Sequence, residues 1–180
     1  INTLFELGVT DSKKLTQKKR LKVLDTLGID LTSLKVNQEY EFNYADSEFK
    51  FFISEMSPAQ IDEINILQAA LRCMQNSSEK LMHAEAVVLV DGNKTFESSA
   101  KKIEAIVKGD SKSAIIGLAS IIAKEYRDHL MEKLDAQYPG YGLAKHAGYP
   151  TVTHKEAVAT LGVTPIHRKS FKGVKEHLGQ

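Results

Sequence analysis

Two aspartates stand where a fold could put them to chemical use. Asp91 follows the apolar run 86–90 (AVVLV), and Asp110 follows a second run, 103–107, at the mouth of a long helical segment. In open α/β sheets, ligands gather beyond the carboxyl ends of the strands. If the two runs are neighbouring strands, both carboxylates reach one site, and paired hard oxygen donors suit Mg²⁺ or Mn²⁺. Two such ions about 4 Å apart stabilise both the attacking and the leaving oxygen in phosphodiester hydrolysis. Each aspartate also has an ordinary use, because Asp91-Gly92-Asn93 is a good turn and Asp110 is a good helix N-cap.

Basic side chains accompany the same loops: Lys13, Lys14, Lys94, Lys108, Lys112, Lys145, Arg168, Lys169 and Lys172. Phosphate contacts from Lys and Arg carry most non-specific affinity for nucleic acid, although a single lysine is more often a solvated surface residue. Arg168-Lys169-Ser170 combines cations with a hydroxyl, a set that suits a phosphate. Tyr138, Tyr141 and Tyr149 punctuate a Gly-rich stretch, where an exposed ring could stack on a sugar or base and a half-buried one would close the loop. His146, His154 and His167 lack the spacing of a zinc site, and no Cys pair supports one. No P-loop, dinucleotide fingerprint or nucleophile elbow is present.

The elements that must position these residues are legible in part. A helix is expected from Asp11 to about Leu27, capped by Asp11 or Thr16. Runs 35–44 and 48–53 predict an extended hairpin. Ser57-Pro58-Ala59-Gln60 predicts a capping box. A helix then runs to about Met82, with an apolar stripe of Ile61, Ile64, Leu67, Leu71 and Met74, and Cys73 packed beside it. The run 86–90 predicts a strand buried on both faces. A helix over 111–137 ends at Tyr138-Pro139-Gly140-Tyr141-Gly142, and a short helix from Thr151 or Thr153 stops at Gly162. Extended runs mixed with helices predict an α/β fold with a central sheet.

A chain of 180 residues suits one domain, spanning residues 1–180. The net charge of +1 means that a nucleic-acid surface must come from local clustering. Cys73 is the single cysteine, and no run is long and apolar enough for a membrane span. A cytoplasmic protein, monomeric and without a membrane partner, is expected.

Eight strings occur in order from Asp11 to the end. They are Asp11-Ser12-Lys13-Lys14-Leu15, Ile61-Asp62-Glu63-Ile64-Asn65-Ile66-Leu67-Gln68-Ala69, Val88-Leu89-Val90-Asp91-Gly92-Asn93, Val107-Lys108-Gly109-Asp110-Ser111, Ala119-Ser120-Ile121-Ile122-Ala123-Lys124, Tyr138-Pro139-Gly140-Tyr141-Gly142, Gly148-Tyr149-Pro150-Thr151 and Pro165-Ile166-His167-Arg168. The series resembles ribonuclease HII over nearly the whole chain. Lys-Gly-Asp-Ser and Gly-Tyr-Pro-Thr separate it from ribonuclease HIII.

The resemblance implies a ribonuclease H-like α/β fold, a mixed central sheet flanked by helices. It implies two divalent ions, Mn²⁺ or Mg²⁺, held by four carboxylates, of which Asp91 and Asp110 match the third and fourth. It implies that Tyr149 stacks on the sugar beside a ribonucleotide. The substrates implied are RNA–DNA hybrids and DNA duplexes with embedded ribonucleotides, cut on the 5′ side. The family's first strand carries adjacent Asp and Glu and then Gly-Arg-Gly. None of the ten residues before Asp11 forms that motif, so the N-terminal strands are expected to be missing and the chain as it stands to be a poor nuclease. A non-catalytic nucleic-acid-binding module is the rival reading, and metal-dependent cleavage separates the two.

Overall fold

The computed structural model describes residues 2–179, which gather into two compact units. One comprises Ile1–Glu55 and Ala70–Glu125, the other Met56–Ala69 and Tyr126–Gln180. The architecture is mixed α/β.

In the first unit, α1 (Asn2–Glu6) is followed by the turn that carries Lys13 and Lys14, then by α2 (Gln17–Thr26). Thr16 caps α2, its hydroxyl accepting from the Lys19 N–H. Asp11 instead folds a local turn, accepting from the Lys13 N–H at 2.9 Å. Leu4, Val9, Leu24 and Ile121 are almost wholly buried in this unit's core.

The expected hairpin forms from β1 (Glu39–Tyr44) and β2 (Ser47–Phe52), antiparallel with Tyr44 opposite Ser47. One face stacks Tyr40 on Phe51 and Phe42 on Phe49, each pair 5.1 Å apart. On the other face Lys50 lies within 3.4–3.6 Å of Glu39, Glu41 and Glu48. Its bond to Glu48, followed by the attraction of all three carboxylates, raises the ammonium above its ordinary value.

Strands β3 (Val87–Asp91) and β4 (Lys102–Ile106) form a parallel pair, with Asp91 opposite Ile106. β3 departs from the sequence expectation. Val90 is buried, but Val87 and Leu89 are 54% and 37% exposed. A continuous apolar run marks a strand without revealing how many layers cover it. Among the described residues β3 pairs with β4 alone, and its odd-numbered face meets solvent.

The capping box at Ser57 is present: Gln60 Oε1 accepts from the Ser57 N–H at 2.8 Å, and Ser57 Oγ from the Gln60 N–H at 3.3 Å. The helix it starts, α3 (Pro58–Leu81), is not continuous. Asn65 takes φ 68° and ψ 164°, and its side-chain oxygen accepts from the N–H groups of Leu67 and Gln68. That backbone lies in a region otherwise almost confined to glycine, and the Asn65 side chain acts as an internal N-cap. The break turns the expected stripe, so that Leu67 and Met74 are partly exposed. Cys73 is half-buried, and desolvation raises its thiol pKa.

Helix α4 (Ala114–Gln137) begins three residues later than expected, because Gly109–Ser111 first makes a tight 3₁₀ turn. Beyond it, α5 (Leu143–His146) and α6 (Val152–Leu161) belong to the second unit. Thr151 caps α6 by accepting from the His154 N–H, and Gly162 at φ 87° ends it. This unit's core is built on Tyr141, Leu143 and Val158. Among the described residues, no helix is long and apolar enough to cross a membrane.

Candidate active site

The parallel pairing of β3 with β4 delivers Asp91 and the 3₁₀ turn to the same end of the two strands. Asp91 is the last residue of β3, and β4 ends at Ile106, four positions before Asp110. Asp91 Oδ1 accepts from the Gly109 N–H at 2.8 Å, so the residue before Asp110 is tied directly to Asp91. Gly92 N–H donates to the Ile106 carbonyl at 3.1 Å and continues the pairing past the strand. Asp91 therefore does anchor a loop, but with one oxygen. Asp110 lies inside the turn rather than at the cap of α4, whose Gly117 N–H donates to the Ser113 carbonyl.

Two glycines make this packing fit. A Cβ on Gly109 would stand 2.7 Å from Ile116 Cδ1 and 3.3 Å from Asp91 Oδ1. A Cβ on Gly117 would stand 2.9 Å from the Asp110 carbonyl oxygen and 3.1 Å from Val9 Cγ1. In a helix interior, Gly to Ala ordinarily gains about 1 kcal/mol. At Gly117 the contact is with backbone, so overpacking costing about 1–3 kcal/mol reverses the sign. Gly117→Ala is expected to lower the melting temperature and displace Asp110, which thermal denaturation and a cleavage assay would read together. A melting temperature that rises would sink this account of the glycine.

The turn bearing Lys13 and Lys14 is bolted to α4. Buried Ser12 shares a 2.9 Å hydrogen bond with Ser120. Arg20 forms an ion pair with Glu125, both buried, and donates to the carbonyls of Ser12 at 3.0 Å and Leu15 at 2.7 Å. From this turn Lys14 Nζ reaches Ser111 Oγ at 3.4 Å, next to Asp110. Lys13 and Lys112 are exposed, and the Lys112 N–H closes the 3₁₀ turn on the Gly109 carbonyl. The first unit thus collects Asp91, Asp110, Lys14 and Lys112 around one turn. The Arg20–Glu125 pair escaped the sequence reading, since partners 105 positions apart share no local pattern.

The remaining candidates lie in the second unit. Tyr149 is 65% exposed. The Arg168 guanidinium sits 4.2 Å over the Phe171 ring. The Lys169 and Ser170 N–H groups, with the Ser170 hydroxyl, all donate to the Asp62 carboxylate. Partial desolvation works against the Asp62 charge, but the Ser170 and Lys169 hydrogen bonds, with Arg168 nearby, hold its carboxyl below the usual range. Ser170 is thus engaged by a carboxylate from its own chain, and Asp62 is a member of this cluster that local sequence did not reveal.

Magnesium is commonly held by one or two carboxylates, with waters and substrate phosphate completing its shell. Asp91 and Asp110 fit that donor chemistry. Among the described residues no set of three or more His, Cys, Asp or Glu side chains gathers as a metal cluster.

The fold is that of a type 2 ribonuclease H. Ribonuclease H2 from Pyrococcus horikoshii superposes with a TM-score of 0.66 at 25% identity, covering 98% of this chain and 82% of that one. The family model for ribonuclease HII matches residues 1–174. Ribonuclease HII from Shewanella oneidensis is 43% identical over 173 residues, covering 94% of this chain and 75% of that protein. The Francisella tularensis enzyme is 44% identical over 173 residues, covering 96% and 83%. The chain belongs to the ribonuclease HII family, a family of metal-dependent endoribonucleases.

Proposed function

We propose that this chain is an endonuclease that hydrolyses the RNA strand of RNA–DNA hybrids and incises DNA duplexes 5′ of embedded ribonucleotides, leaving 5′-phosphomonoesters. The observation that carries the reading is the Asp91–Gly109 hydrogen bond across the ends of a parallel strand pair, which sets two carboxylates at one turn. Asp91 and Asp110 would hold divalent ions, Mg²⁺ or Mn²⁺. Two such ions bound there would supply charge neutralisation at the scissile phosphate and a water of lowered pKa. Lys13, Lys14 and Lys112 contact phosphates around the same turn, and Arg168 and Lys169 are the phosphate-binding residues of the second unit. Tyr149, with its ring free, stacks on the sugar next to the ribonucleotide. We read the chain as a single domain acting as a cytoplasmic monomer.

The test is a labelled DNA duplex with one internal ribonucleotide, incubated with Mn²⁺ or Mg²⁺ and this chain, beside the same duplex without the ribonucleotide. Incision only at the 5′ side of the ribonucleotide is expected. Binding to both duplexes without any incision would favour the non-catalytic module.

A further inference from the structure

Three histidines that local spacing left unassigned meet at the backbone of Tyr149. His146 and His154 stack with ring centroids 4.3 Å apart and planes 22° apart, and His167 lies 5.5 Å from His154. Their hydrogen bonds define one set of tautomers. The Thr164 N–H donates to His167 Nδ1 at 3.2 Å, so in the neutral ring the proton is on Nε2. That Nε2–H faces His154 Nε2 at 3.3 Å, which must accept. His154 therefore carries its proton on Nδ1 and donates to the Tyr149 carbonyl at 3.0 Å. His146 is assigned in the same way: Nδ1 accepts from the Gly148 N–H, and Nε2–H donates to the Tyr141 carbonyl. With these tautomers each of the six ring nitrogens has a partner, and the Thr164 hydroxyl, 2.7 Å from His167 Nδ1, faces the same atom as the Thr164 N–H.

Tyr149 needs such support. Its ring is exposed, so side-chain packing does little to set its direction. The two residues before it, Ala147 at φ 48° and Gly148 at φ 77°, are both left-handed. What holds it is its backbone, with N–H donated to the His146 carbonyl at 2.8 Å and carbonyl shared between the Thr151 N–H and His154.

We propose that His154 and His167 are positioning residues for Tyr149: a relay of neutral imidazoles from Thr164 through His167 and His154 to the Tyr149 carbonyl sets the angle at which the exposed ring meets its ligand. The ligand assignment rests on the reading of Tyr149 as the sugar-stacking residue, whereas the relay itself does not. A proton added to His154 sets its Nε2–H against that of His167, and one added to His167 Nδ1 sets it against the Thr164 N–H with the Thr164 hydroxyl as its acceptor; either places a charge in a buried cluster. Burial first, and then His146, lowers the pKa of His154 against the opposing bond to Tyr149. Burial first, and then His154, lowers that of His167 against an opposing backbone hydrogen bond at Thr164. Burial raises the Tyr141 phenol, which stays neutral. Other charged groups on the surrounding elements include Arg127, which donates to the Ala147 carbonyl, Asp135, which accepts from the Leu143 N–H, His129 beside Glu132, Arg168 over Phe171, and exposed Lys145, Lys155 and Glu156.

The chain contains no tryptophan, so Tyr149→Trp installs a single fluorescent reporter at the end of the relay. Its emission and anisotropy should change in one step as the solution is acidified, with a midpoint below the ordinary imidazole value of about 6.5. In the same background His154→Asn keeps an amide donor in the place of Nδ1 but cannot be protonated, and should abolish the step while holding the neutral-state signal. His154→Ala should show the acid-state signal at every pH, with circular dichroism confirming the fold. No step in the reporter chain, or an unchanged step in His154→Asn, overturns the relay, and both readings stand even if the alanine variant fails to fold. In parallel, His154→Ala with Tyr149 retained should raise KM for an RNA–DNA hybrid roughly tenfold, the cost of one stacked base, with kcat little changed and His154→Asn restoring it. A chain that cuts no hybrid but shows the step refutes the functional reading and leaves the relay in place. A chain that cuts hybrid without the step does the reverse.

Discussion

Asp91→Asn is expected to lower the rate of hybrid cleavage by about a thousandfold or more, because charge lost at a metal-binding carboxylate removes several kcal/mol of transition-state stabilisation. The fold should be little affected. Asp91 is exposed, and its contact with the rest of the site is the bond that Oδ1 accepts from the Gly109 N–H. An asparagine carbonyl accepts the same bond, so stability should stay within about 0.5 kcal/mol. Asp91→Ala is the informative contrast. It removes the charge and also leaves the Gly109 N–H without its acceptor, adding about 1 kcal/mol of destabilisation. Cleavage rates under Mn²⁺ and thermal melts on both variants separate the two jobs of one side chain. If Asp91→Asn cuts at the unsubstituted rate, its charge has no part in the chemistry and the residue serves only to anchor the turn.

The largest expected effect on stability is at Glu125, which is 1% exposed and paired with Arg20. Glu125→Leu should destabilise the protein by about 3–5 kcal/mol, because it removes the buried carboxylate paired with the Arg20 guanidinium. Replacing both partners, Arg20→Met with Glu125→Leu, should recover part of that loss, since a buried pair often yields to apolar residues at little net cost. Recovery should be incomplete here. Arg20 also donates to the Ser12 and Leu15 carbonyls, and a buried acceptor left without its donor costs about 1–3 kcal/mol. The consequence reaches the site, since the residues so held carry Lys14 to Ser111 beside Asp110. Chemical denaturation of the two single variants and the double variant gives the coupling energy. A double variant as unstable as the sum of the singles would show that the pair is not coupled.

Local chemistry made several elements readable from sequence. The Ser57–Gln60 capping box, the Thr16 and Thr151 caps and the stop at Gly162 depend on neighbours within four residues, and each formed as expected. The hairpin and the two short apolar runs followed from pattern alone. The family was also legible, because eight ordered strings are far more specific than any one of them. The interruption of α3 was not, since Asn65 fits a helical stripe as well as it fits a cap.

Sequence by itself determined which residues could do chemistry, where most helices begin, and the family that the chain joins, since these depend on residue identity and short-range order. Tertiary structure decided which of those residues meet. The parallel register of β3 and β4 brings Asp91 to Gly109, the Arg20–Glu125 pair joins residues 105 positions apart, and Asp62 claims the N–H groups of Lys169 and Ser170 from more than a hundred positions away. It also gathered three scattered histidines near the Tyr149 backbone, with His154 and His167 in hydrogen-bond contact and His146 stacked on His154. The physical reason is the same in each case. Hydrogen bonds and ion pairs act over about 3 Å of space, and only the packed chain determines which distant groups come that close.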